Sequence, residues 1–332
     1  MKRHEEQSSG NNTERDPIVR AQDVRVTFRA PGSRDTVKAV DGVSLEVRRG
    51  EVFGVVGESG CGKSTLGRAL LGLVPLSGGK VIADGRDLST LSAPQMKEMR
   101  RKIQIIFQDP SACLNPRRTV REILTEPYLI HGIRDRKKID EEIGKLIDAV
   151  GLAPYHLSRY PHELSGGQKQ RIGIARALTL HPEFIVCDEC VSALDVSVQA
   201  QVLNLLMRLR GEMGLTYFFI SHNLNVIYQV SDRVAVMYLG RIVEIAPYRS
   251  LFENHFHPYT EALLSAIPGT GEGTKNRIIL QGEVPSPQNP PTGCHFHTRC
   301  PKACPICSKE VPGMREILPD HFAACHLYDE KI

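Results

Sequence analysis

Eight residues, Gly57-Glu58-Ser59-Gly60-Cys61-Gly62-Lys63-Ser64, restrict the fold of this chain more than any other stretch. They fit G-x-x-x-x-G-K-[ST] and lie between the strand-like run Glu51 to Val56 and a helical pattern from Lys63 to Leu73, the context the motif requires. Such a strand-loop-helix unit belongs to an α/β layer. Glycines let the backbone fold tightly enough for its N–H groups to surround phosphate oxygens, and the helix N-terminus adds a favourable dipole. Gly57, Ser59, Gly60, Cys61, Gly62, Lys63, Ser64 and Thr65 form the candidate cradle for ATP. In it Lys63 bridges the β- and γ-phosphates and Ser64 ligates Mg²⁺. An ordinary glycine turn is the competing reading.

The rest of the chain must supply the sheet. From Ile18 to Val47, β-rich segments (VRVTF, VSLEV) alternate with the turn-forming APGSRD and DG, which predicts a small antiparallel sheet. Phe184 to Cys187 and Tyr217 to Ile220 are continuous apolar runs. Helical patterns follow them at Val198 to Leu209 and Leu224 to Val230, as in a parallel sheet covered on both faces. Residues 91–165 carry helical periodicity, with Ile143, Leu146, Ile147 and Val150 on one face, so an inserted helical subdomain is expected at about residues 97–170.

After Pro247 the pattern becomes irregular, and the proline-rich stretch VPSPQNPPTG (284–293) reads as a stiff linker or wrapped strap. Residues 1–17 are polar, with no apolar stretch after their basic residues, and read as a disordered tail rather than a secretory signal. The expected organisation is that tail, an ATPase domain over 18–250, and an extension over 251–332 that ends in a cysteine-dense segment.

Composition narrows the classes. A chain of 332 residues exceeds one usual core, and 41% hydrophobic with 24% charged residues is ordinary for a folded globular protein. No apolar run approaches the roughly 18 to 20 residues that cross a bilayer, so membrane contact is expected only through partners. A net charge of +4 with the signs interspersed makes no large field for nucleic acid, and no nucleic-acid partner is expected. The nine cysteines are an odd count without an export signal, which argues against a disulfide framework.

A second chemical element closes the apolar run Phe184-Ile185-Val186-Cys187 with Asp188-Glu189. This places Asp188 at the carboxyl edge of the sheet beside the glycine loop. Asp188 then holds the Mg²⁺ shell and Glu189 accepts a proton from, or orients, the attacking water, since phosphoryl transfer mainly needs positioning and charge compensation. Read alone, the pair is an exposed loop.

Leu164-Ser165-Gly166-Gly167-Gln168, between these two elements, resembles the signature of the ABC ATPase family. The resemblance implies a P-loop NTPase of α/β class: a RecA-like parallel core, an antiparallel β subdomain, an inserted helical subdomain and here a small cysteine-rich C-terminal domain. It also implies that Ser165, Gly166, Gly167 and Gln168 form a second anion-binding surface at a helix start, facing the γ-phosphate held by another subunit. A head-to-tail dimer with two sandwiched nucleotides follows.

Other residues match the family one by one. Gln108 in IIFQDP is similar to the Q-loop residue, taken here as a Mg²⁺ ligand with Ser64 and Asp188 and as a catalytic residue with Glu189 and His222. Asp195 in SALD resembles the D-loop, His222 in FFISHN the switch histidine, and Phe28 the aromatic that stacks on adenine. Without the family, His222 reads as a surface or core histidine and Phe28 as core.

The segments QDPSACLNPR, RYPHELSGGQKQRIGIARAL and DVSVQAQVLNLL resemble the ATPases of oligopeptide/dipeptide uptake systems, especially the second, F-type ATPase, from about residue 20 to the C-terminus. This implies a peripheral subunit on the cytoplasmic face of the inner membrane. Its partners would be a second, often nonidentical ATPase, two permease subunits that contact residues near Pro110 to Pro116, and an extracytoplasmic solute-binding protein. Importers of nickel or another small solute, and a soluble ABC ATPase outside transport, are the alternatives. Two residues depart from the family: Cys190 replaces the usual proline, which is expected to loosen the turn carrying Glu189, and Cys113 replaces serine.

Cys294, Cys300, Cys307 and Cys325 are spaced C-x5-C-x6-C-x17-C, wider than the pairs typical of small zinc sites. With the flanking GCHFHTRCP they resemble the C-terminal segment of peptide-transporter ATPases that carries a [4Fe-4S] cluster, expected here as a structural staple. Zn²⁺ recruiting the Cys304/Cys307 pair, with His295 and His297 nearby, and buried free thiols are the other readings.

Overall fold

The computed structural model describes residues 16–29, 36–266 and 278–329. The APGSRD turn and residues 1–15 of the expected tail lie outside the described residues. Pro17, assigned to that tail from sequence, instead opens the first strand.

Two sheets organise the molecule. Strands β1 (Pro17–Arg29), β2 (Thr36–Arg48), β4 (Gly78–Ala83) and β5 (Arg86–Asp87) form the antiparallel sheet, in the order β2-β1-β4-β5. The larger sheet contains β3 (Val52–Val56), β6 (Ile103–Ile106), β7 (Phe184–Asp188), β8 (Thr216–Ile220), β9 (Arg233–Tyr238), β10 (Arg241–Pro247), β11 (Arg315–Leu318) and β12 (His321–Ala323). Its order is β11-β12-β10-β9-β3-β8-β7-β6, parallel from β6 to β9 and antiparallel from β9 to β11.

Every residue of β3, β7, β8 and β9 is buried, because the period-2 pleat sends alternate side chains into different cores. Phe184, Val186, Phe218 and Ile220 pack with α1 (Lys63–Leu70) and the antiparallel sheet. Ile185, Cys187, Tyr217 and Phe219 face the helical side. That side contains α3 (Pro110–Cys113), α4 (Val120–Ile130), α5 (Arg136–Ala149), α6 (Gly166–Leu178) and α7 (Val196–Met213), with α2 (Ala93–Lys102) preceding them. Ile143, Leu146, Ile147 and Val150 are all buried.

One strand interrupts the region expected to be helical at 97–170. Ile103–Ile106 is β6, parallel to β7 at the sheet edge. Four residues are too few for periodicity to separate strand from helix, and pairing with β7 decides the matter.

The segment after Pro247, irregular in sequence, carries α9 (Tyr248–Glu253), α10 (Pro258–Ser265) and the β11–β12 hairpin, after α8 (Leu224–Val230) earlier in the chain. Strand β12 pairs with β10, so the extension continues the main sheet instead of forming a separate cysteine-rich unit. Glu244, fully buried, anchors it: the N–H groups of Phe256 and His257 donate to its carboxylate at 2.7 and 3.0 Å, and His321 Nε2 lies at 2.8 Å. The proline-rich stretch is a strap. Its residues Val284 to Pro287 line one wall of a cavity of about 250 Å³ against Ser59, Gly60 and Cys61, and Lys38 N–H donates to the Pro287 carbonyl at 3.3 Å. Among the described residues no helix is long and apolar enough to cross a membrane.

Candidate nucleotide-binding and hydrolysis site

The glycine loop joins β3 to α1. At Gly57 (φ 155°) an added Cβ would stand 2.1 Å from the Met237 carbonyl oxygen, and at Gly62 (φ 105°) 2.0 Å from that of Ala39. No L side chain fits at either position, so β9 and β2 hold the loop from behind. Lys63 is 5% exposed, and its ammonium donates to the Gly57 and Glu58 carbonyl oxygens at 2.9 Å each. Its third partner is the Cys61 sulfur at 3.7 Å, so the buried ammonium is held by uncharged groups alone and retains a demand for an anion, which a phosphate meets.

Ser64 Oγ donates to Asp188 Oδ1 at 2.5 Å. Burial raises the Asp188 carboxyl above its ordinary range, against the lowering effects of the Ser64 hydrogen bond and of Arg68, 3.7 Å away. A buried carboxylate touching a hydroxyl is a hard-oxygen donor pair, and it fits Mg²⁺. Thr65 is half-buried in the first turn of α1.

Three candidates far apart in sequence meet at one atom. Gln108 Nε2 donates to Glu189 Oε2 at 2.8 Å, and His222 Nδ1 lies 3.4 Å from the same oxygen. Gln108, read from sequence as a Mg²⁺ ligand as well, bonds Glu189 through its amide nitrogen; the amide oxygen is the atom that would ligate a metal. Glu189 has left-handed backbone (φ 46°). Its N–H donates to the Ile220 carbonyl at 3.1 Å, while the Ser192 N–H (3.1 Å) and Oγ (2.9 Å) donate to its carbonyl. These bonds hold the turn that lacks proline. Cys190 and Cys187 are both buried, and desolvation drives the Cys187 thiol far above its ordinary value, which leaves it protonated and unreactive. The Cys61 thiol is likewise buried and pushed up by desolvation, and Cys113 Sγ donates to the Pro110 carbonyl at 3.3 Å.

Ser165 caps α6. Its Oγ accepts from the Gln168 N–H at 3.3 Å, and Gln168 Oε1 accepts from the Ser165 N–H at 2.9 Å. Gly167 lets α6 approach α7, since a Cβ there would sit 2.6 Å from Val198 Cγ1. Gly166 lies beside it, and Asp195 precedes α7 with its carboxylate making no cap bond. Among the described residues no hydrogen bond or ion pair joins 165–168 to the glycine loop. Phe28 is 42% exposed on β1, a surface aromatic and not a core one.

Two contacts have no counterpart in the sequence reading. The Glu58 N–H donates to Tyr259 Oη at 2.9 Å, and Arg299 Nη1 donates to both Glu58 carboxylate oxygens at 3.0 and 3.2 Å. These partners are 201 and 241 residues from the loop, and only the position of Arg299 inside HFHTRCP hinted at a role.

In the cysteine segment the closest thiols are Cys304 and Cys307, with sulfurs 3.2 Å apart. Among the described residues no three His, Cys, Asp or Glu side chains converge on the position of a single ion. Four sulfurs around zinc lie only about 3.8 Å apart. Cys294, Cys300, Cys307 and Cys325 nevertheless feel one another: burial pushes the Cys325 thiol up to about 12, and negative charge on the other three adds to the rise. His295 and His297 turn Nδ1 to the Leu239 and Cys294 carbonyls, each at 2.9 Å.

Comparison with known proteins agrees with this geometry. The family described as ABC transporter matches residues 40–192, and the oligopeptide/dipeptide transporter C-terminal region matches 243–307. The chain is 54% identical to the oligopeptide transport ATP-binding protein AppF of Bacillus subtilis (strain 168) over 296 residues, 88% of this chain and 90% of that one. It is 54% identical to OppF of Salmonella typhimurium (strain LT2) over 281 residues, 83% and 84%. The dimeric, post-hydrolysis ATP-binding cassette MJ0796 bound to ADP and Pi superposes with a TM-score of 0.64 at 27% identity, covering 70% of this chain and 99% of the cassette. The chain belongs to the ABC transporter family, among its oligopeptide transport ATP-binding proteins.

Proposed function

We propose that this protein is the ATP-hydrolysing subunit that powers import of peptides, acting as one half of an ATPase pair on two membrane permease subunits. The observation that carries the hydrolytic reading is the meeting of Gln108 and His222 on Glu189 Oε2 beside the Ser64–Asp188 pair. In this reading Lys63 and the loop N–H groups bind the phosphates, Phe28 stacks on adenine, and Ser64, Asp188 and Gln108 hold Mg²⁺. Glu189 orients the attacking water and takes its proton, and His222 contacts the γ-phosphate. Ser165, Gly166, Gly167, Gln168 and Asp195 complete a partner subunit's site; the absence of bonds between them and their own loop, among the described residues, supports that arrangement.

The ATPase domain spans 18–250 with its helical insert at about 97–170, and the extension spans 251–332. The partner ATPase is nonidentical, the permease contact lies near Pro110 to Pro116, and a solute-binding protein delivers peptide from outside. The protein is peripheral on the cytoplasmic face of the inner membrane. Cys294, Cys300, Cys307 and Cys325 hold a [4Fe-4S] cluster. When bound, the cluster cross-links segments too poor in apolar residues to fold by burial alone.

Uptake of a labelled oligopeptide by cells carrying Lys63→Ala tests the function: uptake lost with the variant is expected, and uptake at the normal rate overturns the reading. For the cluster, protein purified without oxygen is expected to be brown, with an iron-sulfur absorbance that Cys300→Ala abolishes. Colourless protein with stoichiometric zinc overturns that assignment.

A further inference from the structure

Every polar group of Glu58, the second residue of the glycine loop, is engaged, and two of its four partners come from the C-terminal extension. Its carbonyl accepts from Lys63 Nζ at 2.9 Å and from the Cys61 N–H at 3.3 Å, both within the loop. Its N–H is turned to Tyr259 Oη of α10 at 2.9 Å, and its carboxylate is bound by Arg299 at 3.0 and 3.2 Å. The Arg299 side chain is only 8% exposed. Tyr259 and Arg299 are themselves held. The Tyr259 ring lies 4.7 Å from that of Tyr238 and 5.4 Å from that of Phe296, and the Arg299 N–H donates to the Phe296 carbonyl at 3.0 Å.

A carboxylate inside an anion-binding loop works against phosphate unless it is neutralised. A guanidinium that is almost fully buried supplies that neutralisation, and the tyrosine fixes the orientation of the Gly57–Glu58 peptide, whose carbonyl is one of the two that hold Lys63. The matched ADP-bound cassette is covered over 99% of its length by 70% of this chain, so a cassette can bind nucleotide in a smaller frame. Tyr259 and Arg299 both lie beyond the segment 40–192 that matches the ABC transporter family, so their contacts reach the loop from outside it.

We propose that Arg299 and Tyr259 are positioning residues for nucleotide binding, through which the C-terminal extension sets the affinity of the phosphate-binding loop. Neither touches nucleotide; both act through Glu58. The inference rests on the loop being the ATP site.

The test uses the full chain and titrates ADP calorimetrically, beside ATPase kinetics. Arg299→Gln leaves the Glu58 carboxylate unpaired, and is expected to weaken ADP binding and raise KM for ATP about tenfold, with a much smaller change in kcat. Adding Glu58→Gln removes the stranded charge, and the double variant is expected to regain most of the lost affinity. A merely structural role predicts instead a lowered melting temperature, with both kinetic constants impaired and no recovery in the double variant. Tyr259→Phe is expected to weaken ADP binding about threefold, and it carries the test if Arg299→Gln does not fold. Wild-type ADP affinity in Arg299→Gln or, where that variant fails to fold, in Tyr259→Phe overturns the proposal while leaving the site intact. Wild-type protein that binds ADP no better than Lys63→Ala overturns the site itself.

Discussion

Glu189 is where backbone strain and chemistry coincide. A left-handed conformation costs a non-glycine residue about 1–2 kcal/mol, and three hydrogen bonds to its backbone sustain it here. The strained turn presents Oε2 to Gln108 and His222 together. Glu189→Gln is expected to retain ATP binding while slowing hydrolysis about 10²- to 10⁴-fold in single-turnover measurements. Near-normal turnover removes the residue from its role. Gly62→Ala puts a methyl 2.0 Å from the Ala39 carbonyl at a φ that disfavours it. A loss of about 2–4 kcal/mol in urea unfolding is expected, and an unchanged midpoint contradicts the packing. At this scale much was legible beforehand: Lys63, Ser64, Asp188 and Glu189 stand out because their chemistry demands fixed neighbours in the chain. Arg299 and Tyr259 do not, because their partner is hundreds of residues away.

The N-terminus of α10 is set by a buried histidine. Its N-cap, His257, accepts the Tyr259 N–H on Nδ1 at 3.1 Å and is therefore unprotonated there. Burial lowers its pKa from 6.5 to about 4, against the raising effect of Glu244. The unfolded chain binds a proton near 6.5 and the folded one only near 4. Stability from this residue is thus complete above pH 6.5 and is lost as pH falls through about 4, a total of about 3 kcal/mol. Denaturant titrations between pH 7 and 4 are expected to show that slope, and His257→Gln to flatten it. An equal slope in the variant assigns the effect elsewhere. Since α10 carries Tyr259, the same acidification is expected to loosen the glycine loop.

At the scale of the whole molecule, the proposed sharing of a nucleotide between two subunits can be tested. The α6 N-terminus with Ser165 and the glycine loop are unlinked by any described bond, and the matched cassette is a dimer. Specific ATPase activity is expected to fall on dilution and to recover when the partner ATPase is added. Chains shown to remain monomeric that hydrolyse ATP at full rate contradict the shared site. The C-terminal extension lengthens the main sheet through β12, so the cysteine segment and the nucleotide loop belong to one frame.

Read alone, the chain marks the elements that contiguous residues build: the glycine loop, the apolar strand that ends in Asp188-Glu189, and the buried face of α5. Covalent spacing imposes each of these, and local physics reads it out. Only the folded molecule decides that Ile103–Ile106 is a sheet edge, that Gln108 and His222 share one oxygen, and that Arg299 reaches Glu58. Those contacts join positions 33 to 241 residues apart. Their strength comes from burial that many elements create jointly, and no local pattern encodes it.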